Sequence, residues 1–207
     1  PGSKEPGSCH PRQSSGMAFI ARVGLWSLLW RGAALGDIPS REIAPGVSMP
    51  VISIGTGGLE HDDEQARAIV SNWMSLGGRG VDTAQVYRDQ AVVAKAIADA
   101  GVKREEVFIT TKVVCCAGVA ASVESNLKQL GTDYIDLLLI HFPAPGIESA
   151  WATLEDFHAR GVLKAIGVSN FNASLLEELL RTAKVVPAVN QVQHNVLRHD
   201  DATVAFA

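Results

Sequence analysis

The sequence predicts an α/β fold, a (β/α)8 TIM barrel of which about six βα units lie within the 207 residues. Three observations support this prediction. Short apolar runs alternate with longer amphipathic stretches, which is typical of a parallel sheet covered by helices. Polar residues follow many of the apolar runs, as they do at the mouth of a barrel. No GxGxxG turn, which would indicate a doubly wound nucleotide-binding sheet, follows any run.

Composition excludes several classes of protein. The chain is 47% apolar and 19% charged, with a net charge of −4 and no cluster of basic residues, so we expect no nucleic-acid partner. Three cysteines without Cys/His spacing predict neither a disulfide framework nor a metal site. We expect a reducing, cytoplasmic setting, with Cys115 and Cys116 as small packing groups.

The first 40 residues differ from the rest and are interpreted as a disordered or targeting-like extension. Residues 1–16 are rich in Pro, Gly and Ser, which predicts disorder. Residues 17–36 hold an apolar run too short to span a bilayer, which needs about 20 apolar residues. This run fits a secretory or organelle leader, or an extension without any targeting role.

Six strand and helix pairs follow in order from Arg41 onward. The predicted strand and helix ranges are 51–55 and 62–77, 80–84 and 89–101, 107–113 and 119–131, 136–141 and 146–161, 163–169 and 173–184, and 188–192 and 200–207. Four of the helical stretches end in glycine, which favours a left-handed C-terminal cap: Gly77, Gly101, Gly131 and Gly161.

The positions of polar residues favour a barrel over an open sheet. They occur at the ends of five predicted strands rather than at one switch point. The residues are Asp82, Lys112, His141, Ser169 with Asn170, and Asn190 with Gln191.

Four of the polar groups predict carbonyl chemistry if the strand ends converge. Asp82 needs a positive partner to be buried, and Lys112 on the next strand is the candidate. A cation within roughly 4 to 6 Å favours the phenolate of a tyrosine, so Tyr87 beside Lys112 would be a better acid than a free tyrosine. His141 opposite Tyr87 could then orient a carbonyl oxygen.

At these residues the chain resembles the aldo-keto reductase family. The resemblance rests on "GGRGVDTAQVY" (77–87), "LGTDYIDLLLIHFP" (130–143), "GVLKAIGVSNF" (161–171) and "NQVQHN" (190–195), which occur in the family's order. It implies a catalytic tetrad of Asp82, Tyr87, Lys112 and His141. In that tetrad Tyr87 is the general acid and His141 orients the substrate.

The resemblance also implies a cofactor and its contacts. The family binds NADPH across the barrel mouth and passes a hydride to an aldehyde or ketone. The implied cofactor residues are Gly55, Thr56, Asp82, Ser169, Asn170 and Gln191, and the implied substrate residues are Tyr87, His141 and Phe142. Residues 41–52 resemble the hairpin that closes the barrel's lower end.

The chain departs from the family pattern in three places. After Tyr87 the family usually has Gly-Asn-Glu, where this chain has Arg88, Asp89 and Gln90. Phe142 stands where many members have tryptophan. Beyond Ala207 the resemblance leads us to expect two more βα units, a segment for the 2′-phosphate and pyrophosphate, and a substrate loop.

These observations leave three functional hypotheses. The first is NADPH-dependent reduction of a small carbonyl compound, without a metal, by a chain that is monomeric when full-length. The second is a non-catalytic barrel fragment that associates with partners through open sheet edges. The third uses Lys112 as a Schiff-base nucleophile, which a neighbouring Asp82 would disfavour by keeping the amine protonated.

Overall fold

A computed structural model describes residues 38–58, 62–197 and 199–206. Most of the N-terminal extension, residues 1–37, lies outside the described residues, so its interpretation stays a prediction. Among the residues that are described, no helix is both long enough and apolar enough to cross a membrane.

A parallel sheet of six strands, paired in sequence order, forms the centre of the described chain. Its strands are β3 (Ile54–Gly55), β4 (Gly80–Asp82), β5 (Phe108–Val113), β6 (Ile135–Ile140), β7 (Leu163–Ser169) and β8 (Asn190–Gln191). An antiparallel hairpin of β1 (Ser40–Ala44) and β2 (Val47–Pro50) precedes it. The helices are α1 (Asp63–Ser75), α2 (Gln90–Asp99), α3 (Val119–Leu130), α4 (Ile147–Ala159), α5 (Ala173–Leu180) and α6 (Asp201–Phe206). The prediction of an incomplete (β/α)8 barrel with about six βα units is confirmed.

Side-chain alternation along the strands separates two hydrophobic clusters. Outward-facing residues such as Ile109, Leu138 and Ile166 pack with the helices. Inward-facing residues form a smaller cluster of Phe108, Leu137, Leu139 and Ala165, against which the hairpin packs. The hairpin therefore closes one end of the barrel interior, as predicted, and the inward-facing polar residues lie at the other end.

The glycine predictions are also confirmed. Gly77, Gly101, Gly131 and Gly161 all have positive φ, between 61° and 91°, within two residues of a helix end. A left-handed residue lets the following chain turn back toward the sheet at low steric cost.

Several predicted ranges were too long, most clearly those of the two end strands and of helix α5. Residues 51–55 and 188–192 were predicted as strands, but β3 and β8 have two residues each, because an end strand is held by one neighbour. Val51 and Ile52 are accordingly 51% and 57% exposed instead of buried. Helix α5 ends at Leu180 and not at residue 184, since the Glu155 carboxylate accepts hydrogen bonds from the backbone of Lys184 and Val185 at 2.6 and 2.9 Å.

Candidate active site

The polar residues at the strand ends share one end of the barrel because of strand alternation. In β5 the inward positions run from Phe108 through Thr110 to Lys112, and in β6 from Leu137 through Leu139 to His141, which follows the strand. Asp82 ends the neighbouring β4. The structure thus brings the predicted acid, amine and imidazole to the mouth of the barrel.

Asp82 has the positive partner that the sequence requires. The Lys112 ammonium, whose side chain is 2% exposed, donates to one Asp82 carboxylate oxygen and, at 3.0 Å, to the Thr83 carbonyl. The Gln191 amide donates to the other Asp82 oxygen at 2.7 Å. Since Gln191 lies in β8, this bond also crosses the barrel mouth and joins strands at its two sides.

Tyr87 lies over the same ion pair. It ends a 3-10 turn, Gln85–Tyr87, and its backbone N–H donates to Ala84 at 3.0 Å. The Lys112 Nζ atom is 5.2 Å from the centre of the Tyr87 ring, and the His141 ring centre is 5.8 Å away at an interplanar angle of 80°. All four predicted catalytic residues are therefore neighbours.

His141 is held as a neutral imidazole. Burial lowers its pKa from 6.5 to about 4, the Lys112 charge adds to this effect, and the Asp82 charge opposes it. The ring is 6% exposed, and Nδ1 has no hydrogen-bond partner among the described residues. At neutral pH the imidazole thus offers one N–H donor and one acceptor at the mouth. Phe142 stacks on this ring at 4.4 Å and is 51% exposed, which gives the mouth an apolar wall.

The predicted cofactor residues Ser169, Asn170 and Gln191 form one hydrogen-bonded group. Ser169 Oγ donates to the Gln191 carbonyl at 2.9 Å, and the Asn170 amide donates to Ser169 Oγ at 3.0 Å and to the His141 carbonyl at 2.9 Å. Asn170 has a positive φ of 63°, which asparagine tolerates better than most residues. These bonds use the amide nitrogens of Asn170 and Gln191, so the amide oxygens are suited to accept from a carboxamide NH₂. These acceptor oxygens therefore fit the carboxamide of a nicotinamide.

The two remaining predicted cofactor residues lie at the end of β3. Gly55 pairs with Asp82 in the sheet, and a methyl group added at Gly55 would meet nothing within 4 Å. Thr56 is fully buried, and its backbone N–H donates to the Asp82 carbonyl at 3.0 Å. Gly55 thus leaves open space at the mouth, whereas the hydrogen bond from Thr56 helps to fix the backbone of Asp82.

Sequence reasoning missed Gly57. A methyl group at this position would lie 3.0 Å from Cζ and 3.1 Å from Oη of Tyr87, so the tyrosine ring rests on a glycine surface. The "GTGG" stretch at 55–58 contained the signal, since a glycine is needed wherever a ring approaches the backbone this closely.

Cys115 and Cys116 pack partly buried against the core, as expected of small packing groups. Within the described part of the chain, no group of three or more acidic, histidine or cysteine side chains could hold a metal.

Comparisons with known proteins show the family. Residues 51–206 match the sequence model of the Aldo/keto reductase family. The chain therefore belongs to this family, and its incomplete (β/α)8 barrel is of the aldo-keto reductase type.

Relatives and solved structures give the extent of the likeness. The chain is 42% identical over 168 residues to an aldo-keto reductase of Mycobacterium tuberculosis, covering 77% of this chain and 59% of the relative. An aldo-keto reductase of Mycobacterium ulcerans is 40% identical over 184 residues, with 85% and 64% covered. The crystal structure of a Bombyx mori aldo-keto reductase in complex with NADP has a TM-score of 0.72 and 33% identity, with 81% of this chain and 62% of that chain covered. The 207 residues thus span about three fifths of the relatives' length.

Proposed function

We propose that this chain carries the active site of an NADPH-dependent reductase that converts an aldehyde or ketone into an alcohol. One observation carries the proposal. The ammonium of Lys112, paired with buried Asp82, lies beside the ring of Tyr87, and a neutral His141 lies across from it. This arrangement suits the delivery of a proton to a carbonyl oxygen.

Tyr87 is the proton donor in this proposal. A nearby ammonium stabilises the phenolate that remains when the proton leaves, so this arrangement favours proton donation by the phenol. His141 donates a hydrogen bond to the same carbonyl oxygen and orients it. A positioned general acid accelerates such a reaction by roughly 10² to 10⁴.

When bound, the cofactor would supply a hydride to the carbonyl carbon, and the residues of the mouth would hold the cofactor in place. The amide oxygens of Asn170 and Gln191 and the hydroxyl of Ser169 are the groups proposed to bond its carboxamide. Gly55 leaves room beside them because it has no side chain. The NADP in the related Bombyx mori crystal structure supports the choice of cofactor class.

The contacts of Lys112 argue against the Schiff-base hypothesis. A nucleophilic lysine must lose its proton and reach the substrate. The Lys112 ammonium is 2% exposed and donates to a carboxylate and a carbonyl, both of which favour the charged form. These contacts fit better a role in which the Lys112 ammonium stabilises the phenolate of Tyr87.

The test is an NADPH titration with a turnover assay on the purified 207-residue chain. We expect quenching of tryptophan fluorescence at micromolar NADPH and oxidation of NADPH upon addition of an aromatic aldehyde. The Tyr87→Phe variant should bind NADPH but lose turnover, while Tyr134→Phe, which changes the chain's other tyrosine, should retain both. Absence of NADPH binding, or full turnover by Tyr87→Phe, contradicts the proposal.

A second candidate function is association through the ends of the sheet. Val51 and Ile52 precede one end strand, and Val196 and Leu197, which are 93% and 96% exposed, follow the other. Exposed apolar groups next to open strand edges favour contact with another chain. Light scattering after size exclusion decides this candidate, since a monomer at all concentrations contradicts self-association.

A further inference from the structure

A buried polar network lies behind the active-site residues, on the outer face of the sheet. Strand alternation turns Asp82 and Lys112 toward the barrel interior, so their neighbours Thr83 and Thr111 face the helices. Both threonines are fully buried, and both bond to the first residues of the α2 segment. These residues, Asp89 and Gln90, lie two and three positions after Tyr87 in sequence.

The first bond closes the loop that carries Tyr87. Thr83 Oγ1 donates to the Asp89 carboxylate at 2.7 Å, which joins the two ends of a loop of seven residues numbered 83 to 89. Thr83 is itself fixed, because its N–H donates to Thr110 at 2.9 Å and its carbonyl accepts from Lys112 at 3.0 Å. The Asp89 carboxylate is thus hydrogen-bonded to Thr83, which lies between Asp82 of the ion pair and Tyr87 in sequence.

The second bond fixes the next residue, Gln90. Thr111 Oγ1 donates to the Gln90 side-chain oxygen at 2.7 Å, and the Gln90 amide donates to Asn126 of α3 at 2.9 Å. Gln90 and Asn126 are fully buried. Since Thr111 precedes Lys112 in β5, the start of α2 is held against the strand that carries the active-site amine.

Asp89 does not have the contacts of an ordinary helix cap. It occupies the N-cap position of α2, yet its side chain accepts no hydrogen bond from the helix backbone. It is 2% exposed, and its second oxygen has no hydrogen-bond partner among the described residues. A half-satisfied buried carboxylate is costly, so helix capping alone does not account for it.

We propose that Asp89 is a positioning residue for Tyr87, acting through its bond to Thr83. The Thr83–Asp89 hydrogen bond holds the 3-10 turn so that the Tyr87 ring stays near Lys112 and across from His141. The Thr111–Gln90 hydrogen bond supports it by fixing the start of α2. This inference rests on the proposed function of Tyr87 as the proton donor. Arg88, with a positive φ of 61°, provides the reversal between the turn and Asp89.

The decisive variant replaces both partners, Thr83→Val with Asp89→Ala. Removing donor and acceptor together leaves no buried polar group without its partner, which favours a folded protein. Thr83→Ser and Asp89→Asn are the conservative variants, because each keeps an atom for the Thr83–Asp89 hydrogen bond. Thr132→Val is the matched control, since it removes a threonine hydroxyl bonded to the Tyr134 carbonyl outside the loop.

Two readouts separate positioning from stability. The first is kcat and KM for the carbonyl substrate. The second is the pH titration of ¹³Cζ-labelled tyrosine followed by NMR. The chain has only two tyrosines, and burial raises the pKa of Tyr134, so it titrates separately as an internal reference. The charged or titratable groups near Tyr87 are Lys112, Asp82, His141, Arg88 and Asp89.

We expect the double variant to lose about tenfold or more in kcat with little change in KM, because a misplaced acid slows the chemical step. Its Tyr87 titration should differ from that of the wild type, because the phenol changes its position relative to Lys112, while Thr83→Ser, Asp89→Asn and Thr132→Val keep kcat within about threefold and leave the Tyr87 titration unchanged. A folded double variant with unchanged kcat and unchanged Tyr87 titration overturns the inference. If the double variant does not fold, Thr83→Val with Asp89→Leu carries the same comparison, because it also removes both partners and keeps more of the buried volume. If the wild type shows no turnover, the proposed function fails, whereas the NMR comparison still decides the positioning role.

Discussion

Replacing Lys112 by methionine removes the cation that pairs with Asp82. Methionine keeps most of the volume of the lysine side chain, so the change leaves no large cavity in the barrel interior. The Asp82 carboxylate then keeps only its bond from Gln191, and the Thr83 carbonyl loses its bond from the ammonium.

The structure sets the size of the effect. Breaking a buried ion pair by removing one partner costs about 3 to 5 kcal/mol, because the remaining charge is uncompensated. The Asp82 side chain is 17% exposed and retains one hydrogen bond, so we expect the lower end of this range, about 3 kcal/mol.

The assay is urea unfolding followed by tryptophan fluorescence. With a slope of about 1 to 3 kcal/mol per molar urea, a loss of 3 kcal/mol lowers the midpoint by about 1 to 3 M. Adding Asp82→Asn to Lys112→Met removes the unpaired charge, so the double variant should recover about 2 kcal/mol of that loss.

A loss below about 1 kcal/mol in Lys112→Met would show that the pair is screened like a surface ion pair, contrary to its burial. Strictly additive changes in the unfolding free energy for Lys112→Met and Asp82→Asn would also contradict the prediction, because the two side chains would then not be energetically coupled.

Three further predictions concern the neighbouring residues. Because the His141 pKa is lowered from 6.5 to about 4, the contribution of the neutral imidazole to stability is complete above pH 6.5 and is lost as the pH falls toward 4. In urea unfolding, the wild type should therefore lose at most about 3 kcal/mol of unfolding free energy over this range relative to His141→Asn. The same pH dependence in both proteins would contradict this prediction. Gly57→Ala should displace the Tyr87 ring by a few tenths of an ångström and lower kcat/KM roughly tenfold, whereas an unchanged value in steady-state kinetics would exclude this close contact. Arg88→Gly should raise the free energy of unfolding by about 0.5 kcal/mol because it relieves a positive φ, and a less stable variant in urea would refute this reasoning.

Sequence periodicity predicted the units whose strands have two neighbours. The strand predicted at residues 163–169 has the bounds of β7, because a strand buried at all positions but Lys164 reads as a nearly continuous apolar run. The end strands were predicted too long, since an apolar run such as that at Val51 does not reveal whether a second neighbour exists to pair with it.

Part of the site could also be predicted from residue types alone. Burying Asp82 requires a cation, and Lys112 is the residue on the neighbouring strand that supplies it. The Thr83–Asp89 bond could not be predicted, because it depends on the path of the loop between them and on which face of the sheet each side chain takes. Gly57 was missed for a similar reason: the glycine-rich stretch at 55–58 suggests that some group approaches the backbone closely, but it does not identify the ring of Tyr87 as that group.

The central claim is that Tyr87, beside the Lys112–Asp82 pair, delivers the proton to the carbonyl oxygen. Its most direct test is the rate of hydride transfer in single turnovers of the wild type between pH 6 and 10, beside the NMR titration of Tyr87. The account predicts that the rate falls with a single ionisation whose midpoint equals that of Tyr87, and that Tyr87→Phe lacks both the rate and the ionisation. A rate that does not change over this range, or the same ionisation in Tyr87→Phe, would contradict the account.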